Sequence, residues 1–466
     1  MITYIKINGF KSFHDFEMEF TPLTVIAGVN AAGKSNLFDA LRLLSNLADA
    51  DKIHNAFRKE QRGEMLELFT QFNEDNWAKE MFFTVDMLVN RKVKDAWGSE
   101  VELKYTRLRY ELTIRRFTNR NGMEDIEVAS EKLVNLKHQE DPWIKFLPKE
   151  TVEYWRPKVS EGRRGRPYIF TEIINGIQTV VVPQDGVKGG NKRSYPLVNA
   201  SRTVLSSFDS VDFRHILAAK EEMKSWRFLQ LNPDDLRQPT SKITGEDVIS
   251  STGKNLAAAL YRIQQDDDYS LIEISRKLNS FLSNFVDVRI KDDVENKQYI
   301  LSLIGEDGKE YTSRVLSEGT LRLLTLCILE QDTMHTGLLC FEEPENGIHP
   351  FRVNAMANLL KDLSTDFIDK NQPLRQVIVN THSPLLVSQV IKWKNDNNVS
   401  LYFAEMRTRI INIGENRFKI YASKIGSTKK DGQETIAFSE QDRKLTVQSV
   451  IKYLQTLEQE ELHQDK

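Results

Sequence analysis

The sequence predicts an α/β fold: a parallel sheet carrying a β-rich lobe and a helical insertion. Three observations lead to it. Leu338-Leu339-Cys340-Phe341 and Val377-Ile378-Val379 are unbroken apolar runs with a helical stretch from Phe351 to Leu363 between them, the pattern of strands buried on both faces of a parallel sheet. Leu23-Thr24-Val25-Ile26-Ala27 is a third such run. It feeds a loop, after which Leu37, Ala40, Leu41, Leu44 and Leu47 follow helical spacing.

The other elements follow in order. From Ile2 to Phe20 apolar and polar residues alternate twice, around Asn8-Gly9 and the polar residues 12–15, which predicts a strand, a turn and a strand. Between Phe82 and Val182 runs such as Phe82 to Val89, Leu108 to Ile114 and Gln178 to Val182 predict the β-rich lobe. Two of its loops, Arg163 to Arg166 and Lys188 to Arg193, are basic and Gly-rich and are candidates for anion contact. From Val211 to Phe285 the pattern turns helical, most clearly at Leu271, Ile274, Leu278, Phe281 and Phe285. Pro233, Pro239 and Gly245 interrupt it, and no heptad pattern persists, so a long coiled coil is excluded. Strand-like runs at Val286 to Ile290 and Tyr299 to Ile304 lead into Leu316 to Thr320 and an apolar helix through Leu329. The expected division is an N-terminal lobe over 1–200, the helical insertion over 205–290 and a C-terminal lobe over 291–466.

Composition narrows the function class. A chain of 466 residues, 40% of them hydrophobic, can bury a large core in two or three units. The net charge of −3 offers no global attraction to nucleic acid or anionic membrane. The two cysteines, Cys327 and Cys340, lie in apolar runs, as in a reducing compartment rather than a disulfide framework. With neither an apolar leader after Met1 nor a stretch of about 18 apolar residues, the expectation is a cytoplasmic protein without a membrane span.

Four motifs carry chemistry. Gly28-Val29-Asn30-Ala31-Ala32-Gly33-Lys34-Ser35 fits the phosphate-loop pattern, in which backbone amides at a helix N-terminus surround phosphates. Gly28 and Gly33 permit close backbone approach, Lys34 supplies a point charge for the β- and γ-phosphates, and Ser35 a hydroxyl for Mg²⁺. The implied ligands are ATP and Mg²⁺. Leu338 to Glu343 is an apolar strand ending in two carboxylates. Successive strand side chains diverge, so Glu342 can serve the metal while Glu343 deprotonates the attacking water. The strand Val377 to Asn380 leads to His382, where a γ-phosphate can sit. Leu316-Ser317-Glu318-Gly319-Thr320 opens a helix, again an anion-binding terminus. Taken singly, the last three read more blandly as a solvated acidic pair, a structural histidine and an N-capped helix; their ordered co-occurrence with the phosphate loop favours the site.

That ordered set resembles ABC-type P-loop ATPases of the SMC and RecF kind, and Ile7-Asn8-Gly9-Phe10-Lys11-Ser12-Phe13 looks like the N-terminal motif of SMC proteins. The match covers both ends of the chain. Asn30 through Asn36, Leu316 to Thr320, Glu342 to Pro350 and Thr381 to Pro384 resemble more closely the AAA-family ATPases related to OLD proteins. The resemblance implies an ABC-type ATPase head, with Gly28, Asn30, Gly33, Lys34, Ser35 and Asn36 binding nucleotide and Lys11 close to the phosphates. It implies that Ser317 and Gly319 meet a γ-phosphate held by the opposite subunit of a head-to-tail homodimer or higher homo-oligomer. His382 would sense the γ-phosphate, and Glu345 to His349 would face the dimer. Glu318 departs from the second Gly of transporters, and Gln71 is only a weak match to a Q-loop. The metal-binding Toprim pattern of OLD nucleases is absent, and the roughly eighty residues beyond Pro384 are too few for it.

Three readings compete. Relatives without a nuclease of their own commonly serve in bacterial antiphage defence, which implies an ATP-driven sensor or regulatory subunit partnered with a separate nuclease or toxin encoded nearby. The second is a RecF-like repair ATPase gripping DNA through the basic loops. The third, a transporter subunit, is opposed by the β-rich and helical insertions.

Overall fold

The computed structural model describes residues 1–59, 62–157, 167–184, 192–242, 247–413 and 416–427. The loop Arg163 to Arg166, residues Lys188 to Asn191, Gly245 and residues 428–466 lie outside the described residues.

A six-stranded sheet forms the centre, in the order Arg227–Leu229, Gly337–Glu342, Arg375–Thr381, Leu23–Ala27, Val399–Ile413, Asn416–Ser427. The first five strands run parallel and the last returns antiparallel. Side chains alternate across it. Ile26, Leu338, Cys340 and Ile378 enter a core shared with helices Lys34–Asp49 and Arg214–Lys224. Val25, Leu339, Phe341, Val377 and Val379 enter the opposite core, with helices Leu256–Asp266, Glu318–Gln331 and Val353–Asp362. Both faces are covered, so these strands read as continuous apolar runs. The predicted α/β class and parallel sheet are present, with the strand Leu23–Ala27 inside the sheet rather than at its edge.

A five-stranded antiparallel sheet orders Glu124–Asn135, Arg107–Thr118, Glu80–Leu88, Ile2–Asn8 and Phe16–Glu19. Its residues Ile5, Ile7, Phe83, Val85, Leu112 and Ile114 join the core of the first helix. The stretch read as helical from 211 to 285 is mixed. Strand Arg227–Leu229 extends the parallel sheet and Thr240–Ser241 pairs elsewhere; segments this short leave no readable period. Helix Arg214–Lys224 packs on Lys34–Asp49, while Leu256–Asp266 and Asp268–Phe281 lie in the opposite core. Phe285 does not prolong the helical face: the helix ends at Phe281 and Phe285 opens the strand Phe285–Asp293.

One buried carboxylate ties the antiparallel sheet to the first helix. Glu131 accepts hydrogen bonds from the Val204 and Leu205 amides at 2.6 and 2.7 Å and from the Tyr110 hydroxyl at 3.0 Å. Beside it Thr203 donates to the Leu47 carbonyl at 3.0 Å. Burial outweighs these donors and pushes the Glu131 carboxyl up to about 7 from 4.5. A folded pKa above the unfolded one makes this contribution full below pH 4.5 and lost as the pH rises through 7. Its size is on the order of 3 kcal/mol. Glu131→Gln is therefore expected to flatten the fall of stability between about pH 5 and 8, measured as urea midpoints; an unchanged slope rejects this origin.

Candidate functional site

The strand Leu23–Ala27 delivers the chain into the phosphate-loop segment, and helix Lys34–Asp49 leaves it. Gly28 and Gly33 have φ of 151° and 86°. A Cβ on Gly28 would lie 2.5 Å from the Ala404 carbonyl oxygen, and one on Gly33 would lie 1.8 Å from the Ser423 Oγ. Both contacts come from the C-terminal hairpin Val399–Ser427, so the loop is moulded against the far end of the chain. The helix start carries no side-chain cap and no acid in its first turn, leaving its amides open to an anion. Lys34 is buried and its Nζ donates to the carbonyls of Gly28 and Val29 at 2.5 and 3.0 Å. Burial lowers its pKa, opposed by the carboxylates of Glu343 and Glu345. Asn30 is exposed on the rim, Ser35 is half-buried in the first turn, and the Asn36 amide donates to Ser12 Oγ at 2.7 Å. Ser12 Oγ in turn meets Ser423 Oγ at 2.6 Å.

Gly33→Ala is expected to cost about 1–3 kcal/mol, through left-handed strain and the clash with Ser423. Adding Ser423→Gly should return part of the loss in thermal melts; no recovery at all would mean that Ser423 does not set the loop.

Register aligns Ala27 with Thr381 and Glu342 with Asn380, so the three strands end on one edge. Glu342 continues the face of Cys340, the side covered by the first helix. Its carboxylate takes two hydrogen bonds from the Arg62 guanidinium, both 2.7 Å. Lys11 Nζ donates to the Arg62 carbonyl at 2.7 Å and pairs with buried Asp39 of the first helix at 2.6 Å. Lys11 is thus held, through Asp39, against the helix that carries Lys34 and Ser35, about one turn beyond them.

Glu343, at a φ of 48°, turns away from that face. Its Oε2 lies 2.5 Å from His382 Nδ1 and accepts from the His382 amide at 3.1 Å. Glu345 is buried beside them and takes a short hydrogen bond from Thr381. Burial first, with the neighbouring Glu343, pushes the Glu345 carboxyl up to about 7. Lys34, Glu343 and His382 therefore converge, while Glu342 faces the Arg62 and Lys11 side.

Ser317 caps helix Glu318–Gln331, accepting from the Thr320 amide at 3.2 Å. A Cβ on Gly319 would lie 2.8 Å from the Gly347 carbonyl oxygen, which packs the turn Glu345 to His349 on this helix start. Ser317 lines a cleft of about 590 Å³ with Asn284, Phe285, Tyr311, Thr320 and Arg352. Exposed Val315 also lines it, and Phe351, the residue before Arg352, is 92% exposed. Gln71 is exposed in a small hairpin. Of the basic loops, Lys192 and Arg193 fall within the described residues, and Arg193 lies over the rings of Phe208 and Phe213. No helix among the described residues is long and apolar enough to cross a membrane.

The family model described as AAA ATPase domain matches residues 1–387. The chain belongs to that family. Ser423 and the hairpin beneath the phosphate loop lie beyond the matched residues. Among solved structures, the SMC head domain from Thermotoga maritima shares 12% identity at a TM-score of 0.35, covering 92% of this chain and 99% of that one. The Smc head domain of Pyrococcus furiosus with an extended coiled coil, bound to the C-terminal domain of ScpA, shares 12% identity at a TM-score of 0.42, over 92% and 96%. The comparison with curated proteins finds no match.

Arg62, Asp39 and Ser423 were not singled out by sequence reasoning. An acid inside an otherwise apolar helix face was the available signal for Asp39; Arg62 and Ser423 had none.

Proposed function

We propose that this member of the AAA ATPase domain family binds ATP in the Gly28 to Ser35 loop and hydrolyses it to ADP and phosphate. The observation that carries the reading is the convergence of buried Lys34 with Glu343 and His382 at aligned strand ends. Lys34 meets the β- and γ-phosphates, exchanging carbonyl partners for phosphate oxygens. Glu343 takes a proton from the water that attacks the γ-phosphorus, and His382, bonded to it, holds that carboxylate in place. Lys11 and Arg62 add positive charge at the edge of the same site. Ser35 and Glu342 would hold Mg²⁺, which fits the donor set: a hydroxyl in the helix's first turn and a carboxylate on the sheet face that this helix covers. Magnesium neutralises charge on the phosphate oxygens when bound; Glu342 would then exchange Arg62 for the metal.

The site is completed by Ser317 and Gly319 from a second copy in a head-to-tail dimer. Exposed Val315, which lines the same cleft as Ser317, supports an intermolecular face there, and exposed Phe351 adds apolar surface next to Arg352 of that cleft. By its resemblance to OLD-related ATPases without a Toprim domain, the assembly serves as the sensor or regulatory part of an antiphage defence system, acting with a separate nuclease or toxin.

Mixing two inactive variants tests the composite site. Lys34→Ala and Ser317→Arg copies each lack turnover alone. In a mixed dimer one site carries both defects and the other carries neither, so the mixture should regain about a quarter of wild-type ATPase activity. A mixture as inactive as its components rejects sites shared between copies.

A further inference from the structure

Glu343, Glu345 and His382 present ligand atoms within 4.8 Å of one another. Their chemistry is that of a transition-metal site: two carboxylates and an imidazole nitrogen, with room for a fourth ligand. Glu345 provides an independent sign of a missing ligand. It is 8% exposed, its Oε1 accepts from Thr381, and its buried Oε2 finds no side-chain donor among the described residues, only the acidic neighbour Glu343 beside it. A buried carboxylate oxygen left without a partner is costly, and a cation removes that cost. The backbone holds the three in place. Glu343 sits at a φ of 48°, Thr381 fixes one oxygen of Glu345, and His382 follows directly on the strand Arg375–Thr381.

We propose that Glu343, Glu345 and His382 bind a zinc ion that switches the ATPase off. This site is separate from the proposed magnesium site, because Glu342 faces the first helix and Arg62 while Glu343 faces His382. Magnesium prefers carboxylate and water oxygens in octahedral geometry, whereas an imidazole with carboxylates in a three-ligand set suits zinc. Small side-chain movements bring such atoms to the roughly 2.0–2.2 Å of zinc–nitrogen and zinc–oxygen bonds. The ion takes the place between His382 Nδ1 and Glu343 Oε2, the imidazole binding it through Nδ1 with its hydrogen on Nε2. Zinc then occupies the lone pair that Glu343 would use on water, so hydrolysis stops while Lys34 still holds ATP. The inhibitory role rests on the proposed ATPase reading; the metal site itself does not.

The test is equilibrium dialysis of the full chain against zinc, without nucleotide, for the wild type, Glu345→Gln and His382→Ala, with thermal melts to verify folding. Glu345→Gln keeps the size of the side chain and its bond to Thr381. The wild type should bind one zinc per chain, and each variant should bind at least about 10-fold more weakly. No zinc on the wild type, or wild-type affinity in both folded variants, overturns the proposal. In a second arm, zinc at its measured dissociation constant should halve ATP turnover in excess magnesium, and Glu345→Gln should escape that inhibition. A chain that hydrolyses ATP and binds no zinc refutes the metal site alone. One that binds zinc through these residues and hydrolyses no ATP refutes the ATPase reading and the switch with it.

Discussion

Lys34→Ala is expected to weaken ATP binding by about 10- to 100-fold, the loss of a charge-assisted contact worth roughly 1.5–3 kcal/mol in a dry site. The side chain is buried, its ammonium rests on two loop carbonyls, and two carboxylates oppose the effect of burial on its charge. Replacing it removes the positive charge facing the phosphates while the glycines keep the loop's shape. The fold should survive, since both hydrogen bonds of Lys34 are local to the loop. Calorimetric titration with ATP, run beside thermal melts, separates the two effects. Affinity within about a factor of two of wild type would place the nucleotide elsewhere.

Glu343→Gln should leave ATP affinity nearly intact and slow hydrolysis by about 10²- to 10⁴-fold, the range for loss of a general base. The amide matches the carboxylate in size and still meets the His382 amide, so the geometry at the strand ends is retained. It cannot take a proton from water. ATP should then persist in the site, and the dimer it closes should become visible by size exclusion with ATP and not with ADP. Undiminished turnover would remove Glu343 from the base role and shift attention to Glu345, which lies next to it.

How much of this could be read from sequence depended on where each interaction lies along the chain. The phosphate loop, the acidic strand end and the histidine strand end were legible because each is local: an apolar run, then a turn, then polar residues at fixed spacing. The order of the strands was not. Leu23–Ala27 is flanked by Arg375–Thr381 and Val399–Ile413, and nothing near residue 23 records those neighbours. The Arg62 grip on Glu342 spans 280 positions and the Ser12 contact with Ser423 spans 411, beyond any periodicity. The strand Arg227–Leu229 was hidden by its three-residue length inside a helical pattern. Glu345 was visible as part of a motif, but its burial and its unpaired oxygen emerge only once Thr381 is folded against it.

The interleaving of the central sheet also sets a timetable for synthesis. The strand Leu23–Ala27 leaves the ribosome well before its partners at Val377 and Val399 are made. For most of translation its backbone hydrogen-bonding groups and apolar side chains have no sheet to join, although the antiparallel pairs Ile2–Asn8 with Phe16–Glu19 and Arg107–Thr118 with Glu124–Asn135 can already form. Loop closure over such separations is slow and leaves a strand edge open to the wrong partners. On the proposed reading, the loop after Leu23–Ala27 gains its sheet only once these distant strands have been made, so ATP turnover waits for them.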